Sequence, residues 1–220
     1  MDLVLLSAIS YLLSGIFWTF GDIWIVGYDE NKKRVLELQE SGLGKNDAQL
    51  IAIYEDADEK RLRKGALIAN YTVIFMFGGL YSLWSFNHGT IGSIGIILLC
   101  IGYSLSPLAH CAYYYVGIAA KDYFRNNDNR DVLKSSIRFL YLVWVPAIAI
   151  SFLGYLLYAV AILLGQVDLP LWMGILNPFV LSILFGLFTK LPYPGKPNLD
   201  GAIFNLALCL WSIFLILQII

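Results

Sequence analysis

Six apolar stretches, each about the length of a bilayer-crossing helix, fill most of this chain. They run from Leu3 to about Tyr28, Ala66 to Phe86, Ile91 to Ala120, Phe139 to Gly165, Leu171 to Thr189 and Ala202 to Ile220. In hydrocarbon every backbone N–H and C=O needs an internal partner, so such stretches must be helices. The 220 residues leave room for one further segment of any size, the charged run Asp29–Gly65. The expected fold is therefore all-α: a polytopic membrane protein, a six-transmembrane-helix bundle forming a single membrane domain over residues 1–220. The third stretch would be ~45 Å long against a hydrocarbon core of ~30 Å and contains Pro107, which predicts a kinked or tilted helix.

Composition excludes the main soluble alternatives. The chain is 59% hydrophobic and 14% charged, where soluble domains average about 45–50% and about 25%; mean hydropathy is +0.69. A soluble enzyme with a membrane tail, a nucleic-acid binder and a disordered chain are all ruled out. The net charge of -1 points to no bulk electrostatic partner. Cys100, Cys111 and Cys209 lie inside apolar stretches without a C-x-x-C pair and read as packing residues. Met1-Asp2-Leu3 lacks the basic flank of a cleavable signal, so Leu3 is expected to open the first membrane helix.

The basic residues set an orientation. Eight lie in Asp29–Gly65, five between Lys121 and Arg138 and two between Lys190 and Gly201. The turns at Asn87–Thr90 and Gln166–Pro170 and both chain ends hold none. All fifteen thus fall on one side, which the positive-inside rule makes cytoplasmic, with both termini outside. Within the cytoplasmic loop at residues 29–65, Val35-Leu36-Leu38 and Leu50-Ile51-Ile53-Tyr54 read as amphipathic helices on the membrane surface.

Polar and small residues at helical spacing mark the face each helix turns inward, because lipid solvates Leu and Ile well. The first helix presents Tyr11, Ser14, Gly15, Trp18 and Asp22; the third presents Tyr103, Ser106, Pro107, His110, Tyr114 and Gly117. The second offers Asn70, Gly78 and Tyr81, the fourth Trp144, Ser151, Tyr155 and Tyr158, and the sixth Gly201, Asn205, Cys209 and Ser212. Such stripes are more often plain packing than a site. Depth singles out four residues, since Asp22, Asn70, His110 and Asn205 all fall within ~15 Å of the cytoplasmic interface. Asp22 is the only carboxylate well inside a stretch and His110 the only histidine inside one. Buried ionisable groups in membranes are costly and mark functional sites. Paired, the two would titrate near neutral pH. Trp18, Asp22, Asn70, Tyr103, His110, Tyr114 and Asn205 are accordingly the expected ligand-binding residues, with Asp22 and His110 the candidate acid and base.

Familiar catalytic signatures are missing: no H-E-x-x-H, no P-loop and no G-x-S-x-G. Two histidines cannot build a three-histidine zinc site, and His88 falls in an outer turn. The sequence therefore implies no metal and no cofactor. Tyr193, between Pro192 and Pro194, belongs to a stiff cytoplasmic connector.

Gly21-Asp22, Arg61-Leu62-x-x-Gly65-Ala66, His110, Asn177-Pro178 and Gly201-Ala202-Ile203-Phe204-Asn205-Leu206 together resemble an uncharacterised family of small bacterial multi-helix membrane proteins. The resemblance implies that Gly21, Asp22, His110 and Asn205 act as one unit in a bacterial inner membrane. It supplies no substrate. Three functions stay open: binding or transport of a small or lipid-like molecule in a proton-sensitive pocket; an intramembrane lipid- or isoprenoid-modifying enzyme; and a membrane scaffold. The expected partners are the lipid bilayer and that small ligand, with no nucleic acid. A path to both faces would favour transport, and a blind pocket an enzyme.

Overall fold

The computed structural model describes residues 2–126 and 129–220, so Met1 and part of the expected Lys121–Arg138 loop lie outside the described residues. The described residues form nine α-helices: α1 Leu3–Val26, α2 Lys32–Glu40, α3 Lys45–Ala52, α4 Glu59–Phe86, α5 Thr90–Asn126, α6 Arg130–Leu163, α7 Leu171–Ile175, α8 Pro178–Phe188 and α9 Ile203–Leu217. A 3-10 turn at Asp200–Ala202 leads into α9. Five helical segments are long and apolar enough to cross a membrane: α1, α4, α5, α6 and Asp200–Leu217.

The expected span Leu171–Thr189 is the exception. It is broken into α7 and α8, of 5 and 11 residues, and neither reaches crossing length alone. The cause is local. Asn177 accepts from the backbone N–H of Phe179 and Val180 at 2.9 and 3.3 Å, and donates to the Gly174 carbonyl at 2.8 Å. It thus closes α7 and caps α8, with Pro178 at the first helical position where its missing N–H costs nothing.

Other helices overrun their apolar stretches. Asp58 caps α4 through the Lys60 N–H, so the helix starts in charged sequence seven residues before Ala66. At 37 and 34 residues, α5 and α6 would be about 55 and 51 Å long, well beyond a ~30 Å hydrocarbon core. They form the most extensive helix pair, followed by α1 with α4. Gly95 and Gly154 let the long hairpin close: a Cβ on either would stand 2.9 Å from the other's carbonyl oxygen. Glycine at such crossings brings backbones together where lipid offers no hydrophobic drive.

Two separate cores result. One fills the bundle with residues such as Tyr11, Trp18, Leu83, Leu99, Tyr103, Tyr155, Tyr158 and Trp211. The hydroxyls of Tyr11, Tyr103 and Tyr155 bond to one another, a closed set that leaves none of these buried phenols unpartnered. The other core lies at the charged end, where Val35, Leu38, Ile51 and Tyr54 pack on Leu62 of α4, Val116 and Ala120 of α5, and Leu133, Ile137 and Leu140 of α6. The buried side chains of α2 and α3 thus pack on protein, while Leu36 of the expected membrane-surface patch stays exposed. The overhanging ends of α5 and α6 supply the wall they need.

The basic segments meet at that same end. Arg130 donates to the Ser41 carbonyl, Lys121 to the Ala57 carbonyl, and Arg61 to Asn198 at 3.3 Å. At the opposite end the two turns without basic residues join. His88 N–H donates to the Gln166 carbonyl at 3.0 Å, and Asp168 N–H to the Phe86 carbonyl at 2.9 Å.

Candidate functional site

Three helices deliver one polar group each to the junction between the two cores. Asp22 lies near the end of α1, His110 midway along α5 and Asn205 just inside α9. His110 Nε2 is 3.1 Å from Asp22 Oδ1, and Asn205 Nδ2 donates to Asp22 Oδ2 at 2.6 Å. The ring's other nitrogen, Nδ1, is 2.9 Å from the Ser106 carbonyl oxygen one turn back. Trp18 presses edge-on to the imidazole with centroids 4.7 Å apart. Side-chain exposure is 10% for His110 and 19% for Asp22, so the pair is largely enclosed while still reachable.

This geometry fixes the proton inventory. A carbonyl oxygen can only accept, so Nδ1 carries a hydrogen and donates it to Ser106. Nε2 of the neutral ring is then a lone pair. A bond across 3.1 Å to Asp22 requires one more proton between them. The pair is thus an imidazolium with a carboxylate or an imidazole with a carboxylic acid. Either form is neutral overall, which is the cheap way to hold two ionisable groups out of water.

Beside the trio is a cavity of about 320 Å³. Trp18, Tyr113, Trp144 and Phe204 give it aromatic walls, and Asp22 and Asp200 its acidic groups; among the described residues no Lys or Arg lines it. Leu50 and Ile53, at α3, line it from the charged end, so the cap formed there by α2 and α3 is part of the wall. Toward the other end α1, α5 and α6 run into the buried Tyr11, Tyr103, Tyr155 cluster, two turns beyond His110 on α5.

Neighbouring contacts hold the frame. Arg61 donates to the carbonyls of Ile23 and Gly27 at 2.6 and 2.8 Å, satisfying the end of α1 immediately after Asp22. Its guanidinium also covers the Tyr28 ring at 4.3 Å. Tyr193 donates to Asp200, tying the proline-flanked connector to the cavity rim. Burial and that bond push the Tyr193 hydroxyl up to about 12.

The family model described as a family of unknown function, DUF6796, matches residues 3–220. The chain belongs to DUF6796. Neither a curated protein nor a solved structure matches it.

In this DUF6796 protein the expected site residues divide into two groups. Trp18, Asp22, His110 and Asn205 come together on the cavity. Tyr103 sits in the tyrosine cluster, Tyr114 stacks edge-on against Tyr115 at 5.3 Å, and Asn70 donates to the Ala66 carbonyl and Cys111 Sγ; none of the three lines the cavity. His88 is an exposed turn residue. Among the lining residues the reading missed are Tyr113, Phe204, Leu50, Ile53 and Asp200. Tyr113 alone left a signal, one turn past His110 and three residues on, the spacing of a shared helix face. Among the described residues no group of three His, Cys, Asp or Glu could hold a metal ion.

Proposed function

We propose that this DUF6796 protein binds a small, partly apolar molecule in the cavity between α1, α5, α6 and α9, with Asp22 and His110 holding a shared proton beside it. The observation that carries this reading is a cavity that meets, among the described residues, a carboxylate and a histidine well inside apolar helices and joined at 3.1 Å. Structural polar residues in membrane helices pair off in packed interiors; these three pair on the wall of a space large enough for a ligand. The proposed setting is a bacterial inner membrane, crossed six times, with α7 and α8 together making the fifth crossing and both termini outside. The separation of basic and non-basic loops to opposite ends supports it.

The bonding of both His110 ring nitrogens favours a second reading, an intramembrane enzyme acting on a lipid or isoprenoid. His110 is held in one tautomer against a carboxylate, as general acid–base work requires. Native mass spectrometry of the protein extracted from its own membrane tests the shared premise. A bound small molecule is expected on the wild type and absent from Asp22→Asn at equal yield. Asn keeps the shape and the Asn205 contact but cannot ionise. An Asp22→Asn variant that carries the same molecule at the same occupancy makes the polar trio structural.

A further inference from the structure

The composition of the cavity wall carries a statement about charge that rests on the binding reading above. Two carboxylates, Asp22 and Asp200, face the space, together with the aromatic rings of Trp18, Tyr113, Trp144 and Phe204. Among the described residues no lysine or arginine does, which leaves a phosphate, sulfate or carboxylate ligand without a cation to meet it. Aromatic faces and carboxylates are instead what an organic cation requires. Trp18, 4% exposed and part of the wall, also leaves its indole N–H without a partner, a donor for an oxygen on the same ligand.

We infer that the cavity takes an amphipathic organic cation, and that the cation enters in exchange for the proton held between Asp22 and His110. The balance is simple. The free site holds the Nδ1 hydrogen bonded to Ser106 and one further proton between Nε2 and Oδ1. When an ammonium group pairs with the Asp22 carboxylate, that second proton leaves to solvent and His110 remains a neutral imidazole. One positive charge enters, one leaves, and the site stays neutral. No covalent bond forms or breaks other than N–H or O–H.

The surrounding groups leave this exchange to the pair. Tyr113 is the titratable neighbour on α5. Asp200, ahead of α9, is bonded to Tyr193 and lies 4.0 Å from Lys196. Arg61 of α4 is engaged with the carbonyls of Ile23 and Gly27. From α6 the wall receives Trp144, Ala147 and Ile148, and Tyr141 of that helix is bonded to Asp47 on α3, whose end contributes Leu50 and Ile53.

Three probes of one shape separate the outcomes: benzyltrimethylammonium, its neutral carbon isostere neopentylbenzene, and the anion phenylmethanesulfonate. Full-length protein in nanodiscs is titrated calorimetrically in two buffers of different ionisation heat. The expected result is cation binding at least about tenfold tighter than the neutral isostere, one proton released per cation, and a Kd falling about tenfold per unit rise in pH while the free site stays protonated. Asp22→Asn should equalise cation and isostere. His110→Gln should change the proton release that accompanies cation binding, because the ring nitrogen that shares the proton is gone; it also decides the matter should Asp22→Asn fail to fold. Cation binding without proton release, or tighter binding of the sulfonate, overturns the exchange. Binding of the neutral isostere alone overturns the exchange while the cavity reading survives. Binding of none of the three overturns both.

Discussion

Gly65 lies where α4 crosses α1, directly behind the site. A Cβ placed there would stand 2.7 Å from the Gly21 carbonyl oxygen, 2.8 Å from Ile25 Cγ1 and 3.0 Å from Trp24 Cβ. The first contact is about 0.7 Å short of the ordinary van der Waals distance of 3.4 Å. Two of the three atoms are backbone or Cβ and cannot rotate away, so Gly65→Ala must push the helices apart. Overpacking of this kind costs about 1–3 kcal/mol. In a chain of this size that is a fall in melting temperature of about 2–12 °C. The displaced α1 backbone carries Asp22 at the very next position after Gly21, so the 3.1 Å contact to His110 should lengthen as well.

Two controls bracket the effect. Gly21→Ala meets only the Gly65 carbonyl at 3.3 Å and side-chain carbons at 3.4 and 3.6 Å, so a smaller loss is expected. Gly186, inside α8, has nothing within 4 Å of its added Cβ, and alanine there should be neutral or stabilise by up to about 1 kcal/mol. Size-exclusion of detergent extracts after graded heating reads all three. The expected order of melting is Gly186→Ala at or above wild type, then Gly21→Ala, then Gly65→Ala. A Gly65→Ala protein that melts with the wild type would show that α1 and α4 do not approach as closely as described, and the placement of Asp22 would fall with it.

The cap gives a pH prediction. Arg34 bonds to Glu55 and holds its carboxyl below the usual value. With the folded value depressed, the stabilisation is present above the unfolded pKa near about 4.3 and is lost as pH falls through the folded one. Glu55→Gln should therefore lower stability at neutral pH by about 0.2–1 kcal/mol and flatten the acid side of a melting-versus-pH curve; an unchanged acid limb refutes the pairing. For topology, single cysteines at Lys45 and Thr90, in a background lacking the native three, should label from opposite sides of sealed vesicles, and labelling from one side refutes the orientation.

Much of the bundle interior is legible in the sequence because a helix imposes its own ruler. Tyr11, Ser14, Gly15 and Trp18 are all buried in the structure, as are Tyr103, Ser106, His110 and Gly117. The same ruler misreads α4. Tyr81 was assigned inward, yet it is exposed, while Met76, Gly79, Leu80, Ser82 and Leu83 are buried. Near the end of a span an aromatic can equally face the headgroups, and Trp84, three residues on, is exposed as well. The break before α8 was also readable, since Asn before Pro is a helix start signal that hydropathy overrides. What no single sequence supplies is registry between helices. His110 and Asn205 reach Asp22 across 88 and 183 positions, and only packing decides that their equal depths become bonds. The α3 wall was invisible for another reason: its apolar face suits a membrane surface as well as a protein one, and the overhang of α5 and α6 makes the choice.

That overhang also explains why the site lies where it does. In the bundle, surrounding lipid is as apolar as leucine, so helices associate through close packing and hydrogen bonds, and the polar trio belongs to that regime. At the charged end water surrounds the chain, and burying Leu38, Ile51 or Leu133 is worth about 1.5–3 kcal/mol each. The cavity occupies the boundary, with Asp22, His110 and Asn205 drawn from the first regime and Leu50 and Ile53 from the second. A polar cluster deeper in the bundle would have to be sealed like the tyrosine hydroxyls, and one farther out would be hydrated. Only at the junction can a neutral, proton-holding pair be screened from bulk water by a wall that the hydrophobic effect holds shut, yet lie a few residues from the end of the helix that carries its carboxylate. The segment between α1 and α4 is thus part of the cavity wall rather than an appendage to it.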